Sequence, residues 1–187
     1  MSRARSEYGA RMSPFRLVLL LVPAALVAVA AVAIASPPAA RDSAAAVITP
    51  TRVDGVHLGD THQDLRARGK VGPIGPGCEL GGPNTRSARL RAPLKGSVTY
   101  TLKNPRKVTT INILGGAKAR GVGIGATIAA IKAKFPNAKV DHSTDQVFQL
   151  TLVRTPRRPS GGRITFGVST LTHKTTIIGV PGIAFCE

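Results

Sequence analysis

The chain has no tryptophan, two tyrosines and five phenylalanines, so aromatic residues fill only 4 % of its 187 positions. Proteins that hold single-stranded nucleic acid stack bases on aromatics interleaved with cations. Neither that interleaving nor a basic recognition helix is present here, so nucleic acid is not an expected partner. Acidic residues are scarce too, nine against 26 Lys and Arg. The carboxylates closest in sequence are Asp60 with Asp64 and Asp141 with Asp145, spacings that fit helix starts or turns better than an acid/base couple. No G-x-S-x-G turn offers a serine nucleophile. His57, His62, His142 and His173 never stand three or four residues apart, so no helical face carries two imidazole ligands. The expectation is a protein that is not an enzyme, with no catalytic residue, no metal site and no cofactor.

The N-terminus is distinctive. Arg3, Arg5, Arg11 and Arg16 precede an uncharged apolar run from Leu17 to Ala35, which closes on Ala33-Ile34-Ala35 and is followed by Pro37 and Pro38. A basic segment, an apolar segment and small residues in an A-x-A pattern make a secretory signal. Nineteen residues at 1.5 Å each are also enough to cross a bilayer, so residues 1–35 read as a signal peptide or as an N-terminal membrane anchor. On both readings the positive-inside bias places the rest of the chain outside. The domain is then secreted or extracytoplasmic, either released or held in the cytoplasmic membrane by residues 17–35. Residues 36–46 are small and Pro-containing, as a flexible linker would be, and leave 47–187 as the folded domain. The two cysteines, Cys78 and Cys186, both fall in the exported part, where an oxidising compartment lets them pair. A disulfide there would close a loop of about 100 residues and contribute about 4 to 5 kcal/mol; two free thiols are the alternative.

Within that domain the sequence repeats. Gly55 to Arg66, GVHLGDTHQDLR, and Gly121 to Lys132, GVGIGATIAAIK, share Gly, Val, Gly and Thr at an offset of 66 residues. The same offset aligns Val98-Thr99-Tyr100 with Ile164-Thr165-Phe166, and Thr109-Thr110-Ile111 with Thr175-Thr176-Ile177. Three segments at one spacing imply a duplicated unit, with repeats at about 55–120 and 121–187. Thr61 and Thr127 predict helix N-caps, Gly69 a C-cap and Pro136 a stop. Gly96 to Lys103 and Lys107 to Leu114 predict a hairpin around Asn104-Pro105-Arg106, and Gln146 to Arg154 a further strand. The Gly- and Pro-dense stretch from Gly69 to Pro83 predicts an irregular loop. The expected fold class is α+β, two tandem repeats each with a short helix packed on antiparallel strands.

Gly59-Asp60-Thr61 with Leu65, and Gly125-Ala126-Thr127 with Ile131, each followed by strands, resemble the tandem fold of β-lactamase inhibitory protein and of the small lipoproteins of the outer-membrane assembly machinery. The resemblance implies a non-enzymatic protein-binding module. It carries over no inhibitory target, since the inhibitor's aromatic contact surface has no counterpart at 4 % aromatics.

A second pattern is weaker. Gly121-Val122-Gly123-Ile124-Gly125-Ala126 spells G-x-G-x-x-A, with Asp141 further on. Dinucleotide binding needs the first glycine to end a strand that feeds directly into a helix. Ala117 to Arg120 intervene, so a duplicated turn is the simpler reading.

Charge gives the remaining signal. The formal net charge is +17; Arg3, Arg5, Arg11, Arg16 and Glu7 account for three of it, which leaves +14 on residues 36–187. Arg86, Arg89 and Arg91 form one basic group, and Arg154, Arg157, Arg158 and Arg163 crowd another. These seven are the candidate anion-contacting residues. The expected function is an exported binding module of the cell envelope that contacts an anionic envelope polymer or an acidic protein, with the membrane engaged through the N-terminal segment if that is retained. A secreted inhibitor of an enzyme and an envelope enzyme with an unrecognised site are the alternatives.

Overall fold

The repeated Gly-Val dipeptide turns out to be a hairpin turn. In the computed structural model, which describes residues 45–77 and 83–185, Asp54 and Gly55 have φ of 44° and 77°, and Arg120 and Gly121 have 49° and 82°. Two successive left-handed residues make a type I′ turn, the kind whose twist matches paired strands. The first joins β2 (Arg52–Val53) to β3 (Val56–His57). The second closes an Ala119–Val122 bridge with reciprocal backbone hydrogen bonds of 2.7 and 2.9 Å. β1 (Ala46–Thr49) pairs with β2 on one side and with β8 (Ala117–Lys118) on the other, completing a four-stranded sheet in the order β3-β2-β1-β8.

Each turn leads to a helix through another left-handed glycine, Gly59 or Gly125. Thr61 caps α1 (His62–Ala67) by accepting from the Asp64 amide, and Thr127 caps α2 (Ile128–Lys134) by accepting from Ala130. Gly69 ends α1 in a Schellman arrangement, with its own N–H donating to Arg66 and that of Lys70 to Leu65. Leu65 and Ile131, the deepest residue of each helix, are fully buried.

The second sheet has eight antiparallel strands. β4 (Val71–Pro76), β5 (Arg86–Leu90), β6 (Lys95–Tyr100) and β7 (Val108–Gly115) form one meander. β9 (Lys139–Asp141), β10 (Leu150–Arg154), β11 (Thr165–Ser169) and β12 (Thr175–Val180) form another, with the single helical turn α3 (Asp145–Phe148) before β10. They meet at β7 and β12, giving the order β4-β5-β6-β7-β12-β11-β10-β9.

The expected α+β class is therefore wrong. Among the described residues the fold is mostly β, 43 % strand against 12 % helix, in sheets of four and eight strands. The physical reason is that Gly69 and Pro136 cut the helices to six and seven residues, while segments read as irregular became strands. Val71–Pro76 is regular despite Pro73 and Pro76 because it is an edge strand, where a missing N–H removes no ladder bond on the open side. The lead-in to the first repeat supplies β1 to β3. Conversely, the strand expected from Gln146 starts only at Leu150, because Asp145–Phe148 coils and Gln149 turns left-handed at φ 51°.

One alignment also shifts. Val98 and Tyr100 share the core face with Ile164 and Phe166, as the offset of 66 requires. In the last strands, however, the same burial pattern begins at Val108 and at Thr175, so Ile111 matches Ile178 and Ile113 matches Val180, 67 residues apart. Matching Ile111 to Ile177 is off by one, and in a strand one residue flips the face. The helix starts agree with 67: Gly59 N–H donates to Val108 and Gly125 N–H to Thr175, both at 2.8 Å. With this correspondence the β7–β12 pairing has two-fold symmetry. Asn112 faces Gly179, and Ile113 with Ile178 mirrors Ile111 with Val180.

One hydrophobic core lies on the face of the eight-stranded sheet covered by α1, α2 and the smaller sheet. Tyr100 is part of it at 2 % exposure, edge-on to the His62 ring, and its hydroxyl has no hydrogen-bond partner among the described residues. Burial pushes its pKa from 10.0 up to about 12. A folded state that holds this proton more tightly than the unfolded chain loses stability as pH rises from about 10 to about 12, and keeps all of it below 10. Tyr100→Phe is expected to abolish that alkaline loss and to raise stability at neutral pH by about 1 kcal/mol, since an unpaired buried hydroxyl is removed. Absorbance titration of tyrosine with parallel urea unfolding checks both, free of tryptophan signal.

The C-terminal segment crosses the opposite face. Asn112 Nδ2 donates to the Ala184 carbonyl at 2.9 Å, and the Ala184 amide donates to Asn112 Oδ1 at 3.3 Å. Phe185 stacks on Phe148 with ring centres 4.2 Å apart. Gly179 and Gly167 have no side chain where this segment passes: a Cβ at Gly179 would stand 2.0 Å from the Gly182 carbonyl oxygen, and one at Gly167 3.0 Å from Ile183. Residues 1–44 and both cysteines, Cys78 and Cys186, lie outside the described residues, and the expected leader and disulfide with them. Among the described residues no helix is long and apolar enough to cross a membrane.

Candidate anion-binding cavity

The β10–β11 hairpin continues beyond its strands. Thr155 N–H donates to the Ile164 carbonyl, the Ile164 amide donates to Thr155 Oγ1 at 2.9 Å, and Arg158 N–H closes the tip on Gly162. The tip leans on the smaller sheet: a Cβ on Gly162 would meet the Pro50 carbonyl oxygen at 2.4 Å, so only glycine allows the approach. This extension holds Arg157 and Arg163 beside the end of the sheet, where β9 pairs with β10 and puts Lys139 opposite Arg154.

Between them lies a cavity of about 490 Å³ lined by Lys139, Asp141, Arg154, Thr155, Arg157 and Arg163, together with Asn137, Val140 and Pro156. Four cations thus share it with one carboxylate. Asp141 is committed, forming an ion pair with Arg154 and accepting from the Ser143 amide. Burial, and after it the charges of Arg154 and Arg157, lowers the proton affinity of Arg163 below the ordinary guanidinium value. Burial is the larger cause, and the two neighbouring cations add to it in the same direction. Arg163 is fixed from behind, its Nε donating to the Pro181 carbonyl. Guanidinium and ammonium donors converging on a partly enclosed space suit an anion with several acceptor oxygens.

Three of the four arginines expected in this region line the cavity; Arg158 does not. The other group is dispersed. Arg86 donates to the Pro83 and Thr85 carbonyls and shapes the chain locally. Arg89 is exposed on β5 between the buried Ala88 and Leu90, and Arg91 lies past the strand's end. In sequence Lys139 groups with Lys132 and Lys134 along and after α2, and its distance from Arg154 hides their cross-strand pairing.

The remaining candidates resolve into structural roles. Gly121 to Gly125 is the hairpin turn and approach to α2, without the strand-to-helix passage that a dinucleotide needs. Asp60 is bound by Arg68 at 2.6 Å and by the His57 amide. Asp64 bonds Thr61 in the α1 cap. Asp54 pairs with Lys70, and Asp145 with His142 and Thr151. Among the described residues no group of three or more His, Cys, Asp or Glu could hold a metal ion. No family model, curated protein or solved structure matches the chain.

Proposed function

We propose that the protein is an exported, non-enzymatic binding module of the cell envelope, and that it contacts an anionic partner, an envelope polymer or an acidic protein, through the cavity of Lys139, Arg154, Arg157 and Arg163. The observation that carries this reading is the four-to-one excess of cations over carboxylates around one cavity. Asp141 offsets Arg154, so Arg157, Arg163 and Lys139 are the side chains whose charge a ligand would meet.

Arg157→Glu with Arg163→Glu is expected to weaken binding to polyglutamate or polyphosphate by about ten- to a hundredfold, as loss of charge-assisted hydrogen bonds does. The wild type should bind less as salt rises, because binding releases counterions, and the variant should show a shallower dependence. Asp141→Asn should act in the opposite direction. Titration calorimetry across a salt series measures all three. Binding unchanged by the double reversal would overturn the reading, and tight, salt-insensitive binding to one folded protein would favour a secreted inhibitor instead.

A further inference from the structure

A second depression, of about 720 Å³, lies between β8, the turn after it and the outer side of α2. Its base is backbone. A Cβ on Gly123 would come 3.3 Å from the Ala117 carbonyl oxygen and 3.1 Å from Lys118 Cγ, a tight approach. Ala126, Ala130 and Ala133 contribute only methyl groups to the wall. The charged lining is Lys118, Arg120 and Lys134, with no acidic residue. Arg120 is held in place, its guanidinium 5.3 Å above the Phe135 ring and donating to the Lys134 carbonyl.

Two exposed apolar side chains accompany these cations. Ile124 lines the groove, and Val47, 63 % exposed, stands beside Lys118 in the β1–β8 register. Ala45 lines it as well. The apolar run of the sequence ends at Ala35, ten residues earlier, which is at most about 35 Å of fully extended chain. Apolar tips ringed by Lys and Arg, with stems that lie along apolar surface while the charges reach phosphate, match the boundary between head groups and acyl chains.

We infer that this groove docks on the anionic head groups of the membrane, with Val47 and Ile124 at the interface and Lys118, Arg120 and Lys134 on lipid phosphates. The inference rests on the reading of residues 17–35 as a retained anchor, and it is separate from the cavity of Arg157 and Arg163. Anionic head groups attract each such cation within a Debye length.

The test uses the full chain with vesicles of phosphatidylcholine alone and with vesicles that also contain phosphatidylglycerol. Flotation on the neutral vesicles reports the apolar run by itself. Hydrogen exchange reports the groove: amides of residues 120–124 should slow about tenfold on anionic vesicles relative to neutral ones. Lys118→Glu with Arg120→Glu and Lys134→Glu should abolish that slowing and leave flotation intact. Ile124→Asp alone should weaken it, which keeps the test valid if the triple variant misfolds. Equal exchange on both vesicles, or slowing that survives charge reversal, would overturn the groove assignment. Failure to float on neutral vesicles would overturn the retained anchor and with it the inference, whereas equal exchange despite flotation would overturn the groove alone.

Discussion

Phe166→Ala should lower the unfolding free energy by about 3 to 5 kcal/mol, a large part of the 5 to 15 typical of a domain. Phe166 is the largest of the fully buried side chains. It sits on β11 with Val153 opposite on β10 and Ile178 opposite on β12, and its ring meets Phe135 at 5.6 Å. Val153 and Ile178 belong to strands held in ladders on both sides, so they are unable to collapse into the space left behind. The residual cavity then adds to the lost transfer energy. Phe135→Ala, at the rim of the core and partly exposed, should cost less. Urea unfolding followed by far-ultraviolet circular dichroism measures both, and a Phe166 effect below about 1 kcal/mol would contradict this description of the core.

Gly179→Val is the other substitution with a large expected effect. The added Cβ would fall 2.0 Å from the Gly182 carbonyl oxygen and 2.7 Å from the Ile183 amide nitrogen. Both are backbone atoms, so no rotamer change relieves the clash. The C-terminal segment must lift, with loss of the Asn112–Ala184 hydrogen bonds and of the Phe148–Phe185 stack, or β12 must shift against β7. Overpacking alone costs about 1 to 3 kcal/mol. Segment release should show as rapid exchange of the Ala184 amide and early cleavage near residue 182. Asn112→Ala removes the same anchor from the other strand and should release the segment with less loss of global stability. If the Ala184 amide stays protected in both variants, the segment does not lie where it is described.

The sequence made some features readable because they depend on single residues. Thr61 and Thr127 as caps, Gly69 as a helix end and the Asn104-Pro105 hairpin each follow from local chemistry. The class did not follow, because strand assembly is non-local. Val71–Pro76 looks irregular by its glycines and prolines and is ordered only by its pairing with β5. The one-residue slip between Ile177 and Ile178 was hidden by Thr-Thr-Ile in both copies, whereas burial separates the two at once. At the cavity, Arg154, Arg157 and Arg163 were visible as a basic run. The nearness of Lys139 and Asp141 to that run was not, since only the β9–β10 pairing brings them opposite Leu152 to Arg154.

The symmetric junction of β7 and β12, centred on Asn112 and Gly179, is the geometry by which two identical subunits share a sheet across a dyad. Here both partners are segments of one polypeptide, so their association obeys no mass-action law and does not weaken on dilution. Permanent pairing also removes the constraint that a true homodimer imposes, where each change appears twice. The basic cavity, built from residues 137–163 alone, lies wholly within one half.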